Sequence, residues 1–237
     1  MIILRSLIWW LVAISIVIGL GIPLAILSLP DPQKRPISWG SYIWSLVLMK
    51  VAGCTLEVMG KEHIEDLRQF VLVSNHQSYF DIFTLICIVK GAPHFLAKKE
   101  LFRIPVFGQL LSLARVLKID RQNPEMAVKT IKESLNKGII NRPIAIFPEG
   151  TRSPNGKFRP FRKKGLNILM DTGIPFVPMA IKGTRDAMPK GRYTVKPARI
   201  KVKIGEPFVP GMGLTDEEKD KVREKLWQWI HSHLETQ

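Results

Sequence analysis

A histidine and an aspartate stand five positions apart in Asn75-His76-Gln77-Ser78-Tyr79-Phe80-Asp81, and these residue types could form a proton-transfer pair. On one regular helix, at about 100° per residue, their side chains would diverge by about 140°. They cooperate only where His76 precedes the helix that carries Asp81. The flanking sequence predicts that arrangement: Phe70-Val71-Leu72-Val73 is a short apolar run suited to a buried strand, and Tyr79 to Val89 is long and apolar enough for a helix. At such a turn Asp81 would hold one ring nitrogen of His76 and leave the other to take a proton. The same residues also fit a capping box, with Ser78 capping the helix and Asp81 reaching back to a free backbone N–H. This segment alone leaves both readings open.

Other segments bear on the choice: Leu117-Lys118-Ile119-Asp120-Arg121, Phe147-Pro148-Glu149-Gly150-Thr151-Arg152-Ser153 and Val177-Pro178-Met179-Ala180. Together with His76 to Asp81, and in this order, they resemble the four blocks of the glycerolipid acyltransferases of the lysophosphatidic acid acyltransferase type, over roughly residues 70 to 183. Lys118 departs from the pattern, where an apolar or aromatic residue is expected. The resemblance implies His76 as catalytic base with Asp81 behind it, and Arg121, Glu149, Gly150, Thr151 and Arg152 as the substrate site.

These residues must be positioned by an α/β domain. Strand-like runs recur at Val71 to Ser74, Phe95 to Ala97, Val116 to Ile119, Pro143 to Phe147, Phe176 to Ile181 and Arg199 to Ile204, with helical segments between several of them. Asn123-Pro124-Glu125 opens a predicted helix that runs to Asn136 and stops at Gly138, and Thr215 with Glu218 caps a last helix. The predicted fold is a single domain, residues 55–237, with a central mixed sheet flanked by helices. Each block falls where a strand gives way to a loop, the place where open α/β sheets gather ligands, and convergence of four such loops is expected.

Residues 1–54 read as a two-helix membrane anchor. Ser6 to Leu29 holds no charged residue, and about 24 residues at 1.5 Å each span roughly 36 Å, enough for a hydrocarbon core of about 30 Å. Gly19, Gly21 and Pro23 interrupt it, and Ile37 to Ala52 follows with Trp39, Tyr42 and Trp44. A single crossing competes with a hairpin dipped into one leaflet, packed through Ser15, Gly19, Gly21 and Ala25 against Ser41 and Ser45; the hairpin is favoured. A single crossing would leave Lys34 and Arg35 on the cytoplasmic side, either geometry leaves the domain facing the cytoplasm, and a bacterial inner membrane is expected.

The 35 Lys and Arg residues against 20 Asp and Glu give a formal charge of +15, which suits an anionic partner. No nucleic-acid module accompanies it, so a phospholipid membrane and phosphorylated substrates are the expected partners. Cys54 and Cys87 lack ligand-like spacing and read as packing residues; no metal and no cofactor is expected.

The reaction that the resemblance implies moves an acyl chain from an acyl thioester, either acyl-CoA or acyl carrier protein, to the free hydroxyl of 1-acylglycerol-3-phosphate, giving phosphatidic acid. Arg152 offers two parallel hydrogen bonds to phosphate, and Gly150 lets backbone approach a substrate. Glu149 either orients the acceptor hydroxyl or braces Arg152, the brace being favoured. Lys98 and Lys99 add charge nearby, Pro178 shapes a loop of the pocket, and backbone N–H groups of the His76 turn are expected to hold the oxyanion. Another acceptor such as glycerol-3-phosphate, a lipid hydrolase and a non-enzymatic basic membrane adaptor are the alternatives. The hydrolase lacks a visible nucleophile, since no G-x-S-x-G elbow surrounds Ser78, and the adaptor leaves His76 unexplained.

Overall fold

The computed structural model describes residues 1–31, 33–119, 126, 129, 133–135, 137–138, 140, 142–211 and 213–235, with the backbone only of residues 96, 98 and 119. The strands are β1 (Thr55–Met59), β2 (Val71–Ser74), β3 (His94–Lys98), β4 (Leu117–Ile119), β5 (Ile144–Ile146), β6 (Phe176–Lys182) and β7 (Arg199–Ile204). They form one mixed sheet in the order β1-β7-β6-β2-β5-β3-β4. From β6 through β4 neighbouring strands run parallel, while β7 is antiparallel to β6 and parallel to β1. The fold is therefore a mixed α/β domain with helices on both faces.

Strand periodicity divides the core. Leu72 of β2 and Val177, Met179 and Ile181 of β6 pack with Phe80, Phe83 and Leu85 of helix α5 (Phe80–Val89). Val71, Val73, Phe176 and Ala180 turn the other way, onto helices α7 (Lys163–Met170) and α9 (Asp216–Glu235). A strand buried on both faces has to be apolar at every position, which is why β2 and β5 read as unbroken runs in the sequence. β1 is different: as an edge strand it alternates between exposed and half-buried residues, and the sequence reading missed it. The capping box of α9 forms as expected, Thr215 N and Oγ1 donating to Glu218 Oε2 at 2.8 and 2.9 Å. Of the helix expected from Pro124 to Asn136, Met126, Lys129 and residues 133–135 are described and are helical. Its start at Asn123 and Pro124 lies outside the described residues.

The apolar N-terminal residues form α1 (Ile2–Gly19) and α2 (Gly21–Ser28), which meet at Leu20 with helical backbone, so Pro23 does not divide them as expected. It is the third residue of α2, a first-turn position that asks for no N–H donor. Together they are long and apolar enough to cross a membrane, and 22% of their most apolar stretch is buried inside the protein. Helix α3 (Arg35–Ala52) packs along both and rests on α5. The expected small-residue seam is replaced by another. Gly40 makes the close approach, since a Cβ there would come 2.2 Å from Leu24 Cδ1, while Gly19 faces open space and Gly21 meets Leu110 of α6 (Phe107–Leu113). Ser41 and Ser45 bond to carbonyls of their own helix.

These helices share the core of the domain. Trp9 is 2% exposed, stacks on Phe80 at 5.7 Å and donates to the Leu48 carbonyl at 2.9 Å. Ser6 Oγ accepts from Val195 N, and Trp10 donates to the Tyr193 carbonyl.

Candidate active site

The chain leaves β2 through Asn75, whose amide makes a two-way bond with Ile181 of β6: Nδ2 donates to the carbonyl and Oδ1 accepts from the N–H, both at 2.8 Å. This clamp sets where the turn begins. His76 and Asp81 then meet as the turn enters α5, with Nδ1 and Oδ2 2.7 Å apart. A carboxylate only accepts, so Nδ1 carries a proton, and in the neutral ring the lone pair is on Nε2. Among the described residues Nε2 has no hydrogen-bond partner. The ring is fixed on its other side by Phe147, stacked at 4.1 Å and 13°.

The capping reading holds at the same atom. Asp81 Oδ2 also accepts from Gln77 N at 2.7 Å and Ser78 N at 2.9 Å. One oxygen thus shapes the turn and orients the imidazole, and the two readings are not alternatives. A further consequence corrects the oxyanion expectation. The N–H groups of His76, Gln77, Ser78 and Phe80 are taken by Glu149, Asp81, Asp81 and Ser78 Oγ, so these four donors of the turn are already occupied.

The loop after β5 wraps this turn. Glu149 is 2% exposed, and its Oε1 accepts from His76 N at 2.7 Å while Oε2 accepts from Arg159 N at 3.2 Å. Burial pushes its carboxyl up to about 7, against the lowering effect of those two bonds. Among the described residues it makes no hydrogen bond or ion pair with Arg152; it ties the His76 turn to the loop. Ser153 N donates to the His76 carbonyl at 2.9 Å, and Gln77 Nε2 to that of Gly156 at 3.1 Å. Gly150 has φ +73°, and the space beside its Cα is filled by the Arg162 side chain, so its conformation rather than a substrate's approach explains the glycine.

Arg152 lies over the ring of Tyr79, 3.7 Å from its centroid, and its Nη1 is buried without a hydrogen-bond partner among the described residues. Thr151 Oγ1 and the Arg152 carbonyl both accept from Lys190 Nζ, at 3.3 and 2.9 Å. Lys190 escaped the sequence reading. Its signal was the turn Pro189-Lys190-Gly191, which follows β6 at the sheet end where β2 delivers His76. Arg121 and the side chain of Lys98 lie outside what is described. Pro178 is misplaced by the expectation: it sits inside β6, opposite Val73, and lines a cleft with Gly205 and Trp229.

A family model described as Acyltransferase matches residues 55–182, which include every described residue of this constellation except Lys190. The chain belongs to the acyltransferase family. It is 33% identical over 213 residues to a 1-acyl-sn-glycerol-3-phosphate acyltransferase of Cocos nucifera, covering 89% of this chain and 67% of that one. A Pseudomonas aeruginosa protein of the same description is 35% identical over 159 residues, 65% of this chain and 60% of its own. Among solved structures, the 1-acyl-sn-glycerophosphate (LPA) acyltransferase PlsC of Thermotoga maritima superposes with a TM-score of 0.82 at 28% identity, covering 100% of this chain and 97% of that one. For an acyltransferase the constellation is coherent: a histidine held through one ring nitrogen and a guanidinium with an unused donor come from two loops that Glu149 and Ser153 tie together.

Proposed function

We propose that this acyltransferase transfers an acyl chain from an acyl thioester to the free hydroxyl of 1-acylglycerol-3-phosphate, forming phosphatidic acid at a membrane surface. The observation that carries the reading is the His76–Asp81 contact, with Nδ1 engaged at 2.7 Å and Nε2 unengaged. His76 Nε2 takes the hydroxyl proton as the oxygen attacks the thioester carbonyl. The C–O bond forms, the C–S bond breaks, and the thiolate leaves with the proton returned by the imidazolium. Asp81 supports the imidazolium charge during the exchange. A thiolate leaves readily, so a ternary complex suffices and no acyl-enzyme is invoked. Arg152, with its buried unpartnered Nη1, takes the acceptor's phosphate; Lys190 fixes the backbone that carries it, and Arg121 is assigned to the same phosphate by its place in the second block.

The names of the relatives support this acceptor, and the exposed apolar faces of α1 and α2 support a lipid acceptor arriving from a bilayer. Docking of α1 on the domain through Ser6, Trp9 and Trp10 favours a pair lying in one leaflet over a crossing, with the domain on the cytoplasmic face.

The test is thioester consumption with and without lysophosphatidic acid, followed by acceptor and donor kinetics for Arg152→Ala. Loss of a charge-assisted bond of about 1.5–3 kcal/mol predicts a roughly 10- to 150-fold fall in kcat/KM for the acceptor, with the donor's KM nearly unchanged. Equal losses on both substrates would remove Arg152 from the phosphate. Thioester consumption that ignores the acceptor would point to a hydrolase.

A further inference from the structure

The segment that follows β3 is an apolar projection that the reaction does not use. A 3₁₀ turn, Lys99–Arg103, leads into Ile104-Pro105-Val106 and then α6. Leu101, Ile104 and Val106 are 38%, 46% and 36% exposed, and Arg103 and Pro105 are exposed between them. Val106 holds φ +65°, a conformation that β-branched residues strongly resist, so the chain bears strain at the residue that turns this tip outward. Arg103 lies within the tip, and Lys118, the cation that departs from the second block, is exposed at its side with Nζ 5.9 Å from the Phe102 ring centroid.

Two placements say what covers the tip. Behind it, Leu110, Leu113 and Ala114 join Leu24 of α2 and Ile37 of α3 in one apolar cluster, so α6, which the tip leads into, is packed against the N-terminal helices that expose Ile18, Ile22 and Ile26. In the sheet, β3 runs parallel to β5 and β5 to β2, so β3 delivers this segment at the end where β2 delivers His76. Apolar side chains flanked by Arg103 and Lys118, with the exposed Glu100 as the one opposing charge in the turn, suit the boundary between headgroups and acyl chains of an anionic leaflet.

We infer that Leu101, Ile104 and Val106 form a second bilayer-inserting element, with Arg103 and Lys118 on lipid phosphates, separate from α1 and α2. Two contacts fix the tilt of the domain where one would leave it free to swing, so the His76 end of the sheet is held against the leaflet. The inference rests on the membrane reading above.

Nitroxide labels in the full chain test it, on vesicles of phosphatidylcholine with 30% phosphatidylglycerol and with Cys54 and Cys87 replaced by Ala. Labels go at Ile104→Cys, at Ile18→Cys on α1 and at Glu224→Cys on α9. The expected result is that labels at 104 and 18 collide with oxygen and are shielded from a water-soluble nickel chelate, with 104 about 5–10 Å into the boundary and 224 aqueous. A shielded 18 with an aqueous 104 overturns the second element and spares the anchor. Both aqueous overturns the element and the membrane reading together. The pair Arg103→Gln and Lys118→Gln should abolish the deeper shielding that anionic over neutral vesicles give at 104; unchanged shielding would remove the cations from the proposal.

Discussion

Asp81 Oδ2 serves three N–H donors, and that sharing decides what its variants report. Asp81→Ala leaves two backbone donors and the His76 ring unheld, so activity and melting temperature should fall together. Asp81→Asn places a carbonyl oxygen where Oδ2 stood and keeps the turn, but it carries no charge to support the imidazolium. Thermal unfolding should recover toward wild type while kcat stays low; a rate that recovers with stability would leave Asp81 as a cap and nothing more. His76→Ala should lose about 10²–10⁴-fold in rate without unfolding, and residual activity above a tenth of wild type would remove it as the base. Glu149 adds a pH dependence. Its carboxyl is raised from 4.5 to about 7 by burial, so the folded protein holds a proton there that the unfolded chain has released. Stability from this group is therefore full below about pH 4.5 and lost as pH rises through 7, by on the order of 2–3 kcal/mol. Urea unfolding from pH 5 to 7.5 should show that decline for wild type and a flatter one for Glu149→Gln; parallel profiles would refute it. The sequence named these residues because the types and spacings of the blocks are local. It did not show what Glu149 holds, because the partners, His76 N and Arg159 N, are backbone groups that no side-chain pattern announces.

Elements were legible where every residue, or every second one, is fully buried. β2 and β7 were read with their observed bounds, and the helix after His76 differs by one residue at its start. β1 was lost because an edge strand needs only two inward apolar residues, here Leu56 and Val58. The anchor's seam was lost for another reason: several small residues compete, and contact geometry alone selected Gly40. The outward face of α1 can be tested without disturbing that seam. Ile14 and Ile18 are 55% and 53% exposed, so lysines there should leave the melting temperature within about 2 °C of wild type, since surface changes of this kind fall within about 0.5 kcal/mol. Flotation with vesicles should drop sharply in both low and high salt. Unaltered flotation of the double variant would mean that this face does not meet lipid.

At the scale of the molecule, the boundary between anchor and domain near residue 54 marks a change of role and not a division of the core. Trp9, Ala13, Leu48, Met49 and Ala52 belong to the cluster that holds Phe80, Leu85, Met179 and Val202. Removing residues 1 to 54 would therefore strip the cover from α5 as well as the membrane contact. Each large side chain uncovered costs about 1.5–3 kcal/mol, and three or four such losses match a typical total stability of about 5–15 kcal/mol. The truncated chain should not be a released soluble enzyme with residual salt-sensitive binding, as two independent parts would give. It should aggregate or melt at least 15 °C lower, and circular dichroism with size-exclusion chromatography will show which. A folded, monomeric and active fragment 55–237 would establish that the Trp9 and Leu48 contacts add little, and the N-terminal helices would then be a detachable anchor. The lysine variants of α1 should lose activity on lipid in vesicles while retaining it on monomeric acceptor below its aggregation concentration, a difference the folded truncation product could not show if the helices also complete the site.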